Sequence, residues 1–407
     1  MWKALAVSMC MVPAAAQAFT QCTATALTGP KGDLAEEGSN PVAFNSWVYA
    51  GYMDGNNVGV AVSSDAGKTL AAPVILDSGS AAKYLRMAAT GKNVYATWRK
   101  HMTDGWHVVF DASRANGAAG SWDKPKDLGQ GTTNLSQIAA TGGNVYIAYL
   151  SRDGNVDLLT SKDAGKTFAA PVAIAAGWGE IVVTAQGDHV YVSWEQKDGG
   201  ARHEVWLAVS ADAGATFKTQ DMSTGRAHGG VEPIFTLDDT SGRVSLVWRD
   251  QDAASTGYYL NTTDGGQSWS APLAVDTASR QFMVADDGTT IYVSYLKQVL
   301  IDGVPDWQVQ LATSTDGGLS FPRKQNLTGM TGIAKIVNDD FRPMPWVRGE
   351  RAFRLTAVEA DGVHMWNGNN GKMSSSAFLG PGYIAAPALD SAVWFNTDGV
   401  VSYGVCK

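Results

Sequence analysis

The sequence has little cysteine, little charge and almost no long apolar runs. Lys and Arg total 31 against 39 Asp and Glu, for a net charge of -8. That balance leaves no basic footprint for nucleic acid or an anionic membrane surface. Charged residues are 17% and hydrophobic ones 45%, so a well-buried globular protein is expected. The six histidines show no metal-ligand spacing such as H-x-x-x-H. His101 and His107 flank a turn, where a solvated loop is expected rather than a metal site. There is no phosphate-cradling Gly-rich loop after a strand, no nucleophile elbow and no dinucleotide fingerprint. No cofactor and no metal are therefore expected.

The one sustained apolar run is N-terminal. A basic start at Lys3 precedes residues 4–16, ALAVSMCMVPAAA, which are too few to span a bilayer. Ala16-Gln17-Ala18 then has the small-x-small form of a cleavage site. Residues 1–18 are expected to be a signal peptide and residues 19–407 a single domain, periplasmic or secreted, with no transmembrane segment. Neither Cys10 nor Cys22 follows a lipobox, so no lipid anchor is expected. Cleavage leaves Cys22 and Cys406, either two free thiols or one disulfide. The oxidising compartment and the even count favour the disulfide. Such a bond requires the two ends of the chain to meet, which suits a closed ring.

Glycine, at 45 residues, and tryptophan, at 14, are plentiful, as in turn-rich β proteins with aromatic packing. The chain also repeats itself. SSDAGKTL at Ser63, SKDAGKTF at Ser161, SADAGATF at Ser210, TTDGGQSW at Thr262 and STDGGLSF at Ser314 are near-copies. Their acids, Asp65, Asp163, Asp212, Asp264 and Asp316, fit a spacing of about 50 residues, with one place vacant. In the vacant place, Asp111 to Trp122 reads DASRANGAAGSW, a lengthened and degraded copy. Upstream of each lies a β-branched and aromatic run such as NVYATW at Asn93 or HVYVSW at His189. A second strand leads into each repeat and another leaves it. Four antiparallel strands at this period describe a β-propeller blade. The fold class is all-β, with eight blades favoured and seven the alternative, the ring closed by pairing of the N- and C-terminal strands. Within the repeat, the short acid bonds its own turn, the glycine supplies a positive φ, and the terminal Phe168, Phe217, Trp269 or Phe321 returns into the blade as a plug.

S-x-D-x-G-x-T-[FW] resembles the Asp box, or BNR repeat, and the whole mature chain is similar to the Asp-box propellers of the sialidase superfamily. The resemblance implies a site on the face opposite the box turns. It implies three arginines for a substrate carboxylate, a glutamate-assisted tyrosine nucleophile and an aspartate acid/base. EPIFTLDDTSGRVSLVWRD, from Glu232 to Asp250, is similar to the stretch carrying the helper glutamate and one clamp arginine, here Glu232 and Arg249. The rest departs from the family. No arginine precedes Arg86, and the first tyrosine after Asp316 is Tyr383. The sialidases also have six blades. The expectation is a monomeric, non-catalytic propeller binding a glycan or an envelope protein; the alternative is a sialidase-like hydrolase. The candidate binding rim is Arg86, Arg99, Arg152, Glu195, His228 and Arg280, with Trp106, Trp178 and Trp307 near loop ends.

Overall fold

The computed structural model describes residues 22–27, 32–33, 41–131, 136–197, 202–223, 229–238 and 240–328, and then the strands between 344 and 406. The proposed signal segment, residues 1–18, and His228 lie outside the described residues. All regular structure among the described residues is β, and none of it is a helix long and apolar enough to cross a membrane.

Among the described residues the strands form eight antiparallel sheets of four or five strands, consistent with a propeller. Sheets 2 to 6, whose strands lie within Ala82–Gln130, Ser136–Ala176, Ile181–Asp221, Gly230–Asp276 and Ser279–Asn326, are simple meanders. Sheet 4, for example, runs Ile181–Gln186, His189–Lys197, His203–Ser210, Lys218–Asp221. In sheet 1 the first position is shared by Gly32–Asp33 and Val42–Phe44, both beside Trp47–Asp54. Sheet 8 takes Tyr383–Ala388, Ser391–Phe395 and Val401–Cys406 from the C-terminus and Cys22–Ala26 from the N-terminus. The register of that last pair sets Cys22 directly opposite Cys406.

Successive sheets stack face to face, so the second strands are covered on both sides. Val94 to Arg99 are all buried, as are Val145 to Leu150. These runs therefore read as continuous apolar stretches rather than as half-buried alternation. Where a polar side chain interrupts them it is bonded. Thr97 Oγ1 donates to the Val109 carbonyl (3.0 Å) and Ser193 Oγ to that of Trp206 (2.7 Å).

The repeated turns join third and fourth strands, and their acids bond the turns themselves. Asp163 Oδ1 accepts from Ser161 Oγ (2.8 Å) and the Thr167 N–H (2.9 Å), and Oδ2 accepts from Thr167 Oγ1 (2.6 Å). Asp65, Asp212, Asp264 and Asp316 do the same. Bonds from Thr167 and Ser161 hold the Asp163 carboxyl well below its ordinary range. In the degraded copy Ala115 occupies the acid's place. Ser113 Oγ still accepts from the Gly117 N–H (3.0 Å), and Ser121 Oγ (2.6 Å) replaces the missing carboxylate.

The plugs reach past their own sheet to aromatics of the preceding one. Phe168 meets Phe110 of sheet 2 edge-on at 4.9 Å, Phe321 meets Tyr259 of sheet 5 at 5.0 Å, and Trp269 meets Tyr191 of sheet 4 at 6.3 Å. The reason is visible at the glycines. A Cβ on Gly165 would lie 2.5 Å from Phe110 and one on Gly318 2.5 Å from Tyr259, so each turn is pressed onto the third strand of the sheet before it. Gly165 also has φ 75°, so steric room and backbone conformation both require glycine there. The same contact recurs between the last sheet and the first. Tyr403 packs with Val48, Ala50, Tyr52 and Ala61, and its hydroxyl donates to the Gly67 carbonyl (2.8 Å).

Candidate functional site

The ends of the second strands and the starts of the first strands share the face opposite the repeated turns. On sheet 4, Glu195 ends the buried run of its second strand and is 6% exposed. Its Oε1 accepts the Glu232 N–H of sheet 5 (2.8 Å), and its Oε2 lies 3.4 Å from His203 Nδ1. Glu232 continues the chain. Oε1 accepts from Arg249 Nη2 (3.0 Å), and Oε2 accepts the Gln281 N–H of sheet 6 (3.2 Å). The second strand of sheet 4 and the first strands of sheets 5 and 6 are thus linked in a row by two carboxylates.

The backbone is bent to make these bonds. Glu232 has φ 59° and Gln281 φ 56°, each inside a register shift of its first strand. Tyr84, at φ 58°, repeats this in sheet 2. Left-handed conformations cost a non-glycine residue about 1–3 kcal/mol each, and bulges turn a backbone N–H out of the ladder. Here the freed N–H groups of Glu232 and Gln281 are the ones that bond the carboxylates.

An aromatic stands beside this chain. Trp178, 45% exposed, lies in the loop leading into the first strand of sheet 4. Lys197 Nζ sits 3.5 Å from its ring centroid, and His203 meets it edge-on at 4.7 Å. Burial, aided by the Lys197 charge, pulls the His203 pKa down, so the imidazole is neutral at pH 7. On sheet 6 the Arg280 guanidinium stacks on Trp307 at 4.2 Å, and on sheet 2 His101 meets Trp106 at 5.1 Å.

Several candidates separate from this group. Arg99 is not a rim residue. It is fully buried between sheets 2 and 3, its guanidinium 5.8 Å from the Tyr149 ring centroid and bonded to the Leu150 carbonyl (3.4 Å). Burial lowers its pKa to about 10. Gly131 lies so close to its guanidinium that any Cβ there would clash. Arg86, 7% exposed, bonds the Leu85 carbonyl (3.1 Å), and exposed Arg152 bonds Gln130 of sheet 2 (3.1 Å). The five arginines of the expected rim and clamp are held on four different sheets. His107 is no solvated loop residue either. It is 6% exposed, with Nδ1 on Asp127 (2.9 Å) and Nε2 on Asp104 (3.0 Å). Burial alone would lower its pKa, but these two carboxylates outweigh it and raise the pKa. Among the described residues no group of three His, Cys, Asp or Glu is placed to hold a metal ion.

Gln281, Lys197 and His203 are the residues that sequence reasoning missed. Gln281 acts through its main-chain N–H, which no residue type announces. Lys197 and His203 meet Trp178 only because the strands they end are paired, Lys197 opposite His203.

No protein-family model and no curated protein matches this sequence. Solved structures with a similar course of the chain include one from a study of two prolyl endopeptidases. It has 12% identity and a TM-score of 0.52, covering 91% of this chain and 56% of that one. An ulvan lyase is similar over 91% of this chain and 94% of its own, with 11% identity and a TM-score of 0.45. Trypanosoma rangeli sialidase is similar over 88% and 69%, with 12% identity and a TM-score of 0.41. At such identities the likeness concerns the fold alone.

Proposed function

We propose that this chain is an exported, non-catalytic propeller of the Asp-box type that binds a glycan on the face carrying Glu195, Glu232 and Trp178. The ring has eight blades and closes where Cys22–Ala26 joins the three C-terminal strands. The seam supports closure, because Tyr403 meets Gly67 from the same side as Phe110 meets Gly165. Directly opposed residues of an antiparallel pair have Cα atoms about 4.5–5.5 Å apart, within the span of a disulfide, and we assign the staple to Cys22 and Cys406 on that register. Residues 1–18 direct export, and the mature monomer is periplasmic or secreted.

The observation that carries the glycan reading is Trp178, an exposed indole beside Lys197, His203 and the carboxylate chain. A sugar offers an apolar C–H face to such a ring and hydroxyls to the polar groups around it. The non-catalytic part rests on Glu232, whose two carboxylate oxygens are both engaged, by Arg249 and by Gln281. The test is binding of the purified mature protein to printed oligosaccharides. Trp178→Ala should lose the glycans that wild type holds. Retention of every one of them by the variant would refute the assignment.

The Glu232–Arg249 pair itself favours a second reading, a sialidase-like hydrolase. Release of fluorophore from a synthetic sialoside by wild type, abolished in Arg249→Ala, would establish that reading and remove the first.

A further inference from the structure

We propose that the groove between sheets 4 and 5, on the outer flank and away from the Trp178 face, is a second site that binds a short saccharide. The groove holds about 560 Å³. That is within the range of small-ligand sites. It is lined by Lys218 to Gln220 of the outer strand, by Gly265 to Gln267 of the repeated turn, and by the apolar Leu207, Val209 and Trp269.

Two other seams are clipped where this one is open. Between sheets 2 and 3, Lys126 Nζ reaches across to the Gly165 and Lys166 carbonyls (2.8 and 2.9 Å), and Arg114 bonds the Ala164 carbonyl (2.9 Å). Between sheets 5 and 6, Asn261 Nδ2 bonds the Gly317 carbonyl (2.8 Å), and the plug Phe321 is 9% exposed. Between sheets 4 and 5 no such clip exists among the described residues. The register sets Gln220 opposite Leu207 and Lys218 opposite Val209, which puts both polar side chains on the groove side. Gln267 faces them from the turn. The side chains of Lys218, Gln220 and Gln267 make no hydrogen bond or ion pair among the described residues. The base is nonetheless tight, since a Cβ on Gly266 would lie 2.8 Å from Val209. The turn is thus seated on the third strand of sheet 4.

That lining selects a class of ligand. The half-buried indole of Trp269 offers a flat apolar surface to the C–H face of a pyranose. Two side-chain amides each present a donor and an acceptor, which suits vicinal hydroxyls. The Lys218 ammonium favours a sugar carrying a carboxylate or sulfate.

The experiment is a printed array of mono- to tetrasaccharides of neutral, uronic and sulfated type, read with the full mature chain. The proteins compared are wild type, Gln220→Ala/Gln267→Ala, Trp269→Phe and Arg249→Ala. The side-chain amides of the two glutamines bond nothing among the described residues, and phenylalanine already serves as the plug at Phe168, Phe217 and Phe321, so these variants keep the fold. We expect a set of glycans whose apparent affinity falls about tenfold in the double variant. The same set should weaken in Trp269→Phe and be unchanged in Arg249→Ala. The proposal is overturned if wild type binds nothing, or if every glycan it binds is held equally by the double variant. Glycans lost in Arg249→Ala but held by the double variant belong to the Glu232 face, and if every bound glycan behaves so the second site is overturned while the first stands.

Discussion

Asp111 is the side chain that the packing of the sheets least explains, and it yields the sharpest prediction. It lies on the third strand of sheet 2, two residues before Ser113, opposite Ala96. The corresponding places in sheets 1, 3, 4, 5 and 6 hold Ala61, Leu159, Ala208, Leu260 and Ala312, all buried and apolar. Asp111 is itself 1% exposed. Oδ1 accepts the neighbouring Ala112 N–H (2.7 Å), and Oδ2 has no partner among the described residues. Burial pushes its pKa up to about 7, with Asp123 adding to the rise and Lys126 and Arg114 opposing it. A carboxyl whose pKa is raised by folding stabilises the native state below its unfolded value, and that stability is lost as pH rises toward about 7. A rise of roughly three units corresponds to a ceiling of about 4 kcal/mol, and solvent screening near the charged neighbours lowers it to about 2 kcal/mol. Asp111→Asn removes the titration while keeping the shape. Urea melts at about pH 4 and about pH 8 should show the variant gaining about 2 kcal/mol on wild type across that interval. A constant difference at the two pH values, or a gain by wild type, would refute the reasoning.

Peptide mapping of the mature protein without reductant should yield one linked pair containing Cys22 and Cys406. Cys22→Ser should lower stability by at most about 4–5 kcal/mol, the chain-entropy ceiling for so long a loop. Gly165→Ala places a Cβ 2.5 Å from Phe110 at a left-handed φ, so chemical denaturation should report a loss of about 2–4 kcal/mol. Asp163→Ala removes three hydrogen bonds from an exposed turn and should lower the denaturation midpoint while leaving glycan binding unchanged. The raised His107 pKa contributes stability that is present below about pH 6.5 and is lost as pH rises through the folded-state value. His107→Gln should flatten that part of the pH profile, and an unchanged slope would contradict the Asp104–His107–Asp127 geometry.

The sequence by itself determined the repeat, the strands within it and the role of its acids. Those properties are local, because Asp163 bonds residues two and four positions away and its turn needs glycine for its own φ. Four-strand units at a regular period follow from the same local pattern. What the aromatic plugs touch could not be read this way. Phe168 meets Phe110, a residue of the preceding sheet, and a repeat looks the same whichever neighbour it packs against. Charged residues were the least legible. Arg99 and Arg249 occupy the same place in their strands, yet one is a fully buried strut under Gly131 and the other is held by Glu232. The difference comes from the sheet next door and from bulges that turn the Glu232 and Gln281 N–H groups toward carboxylates. Tertiary structure alone decides it, because burial and partners belong to the space between sheets and not to the order of residues along one strand.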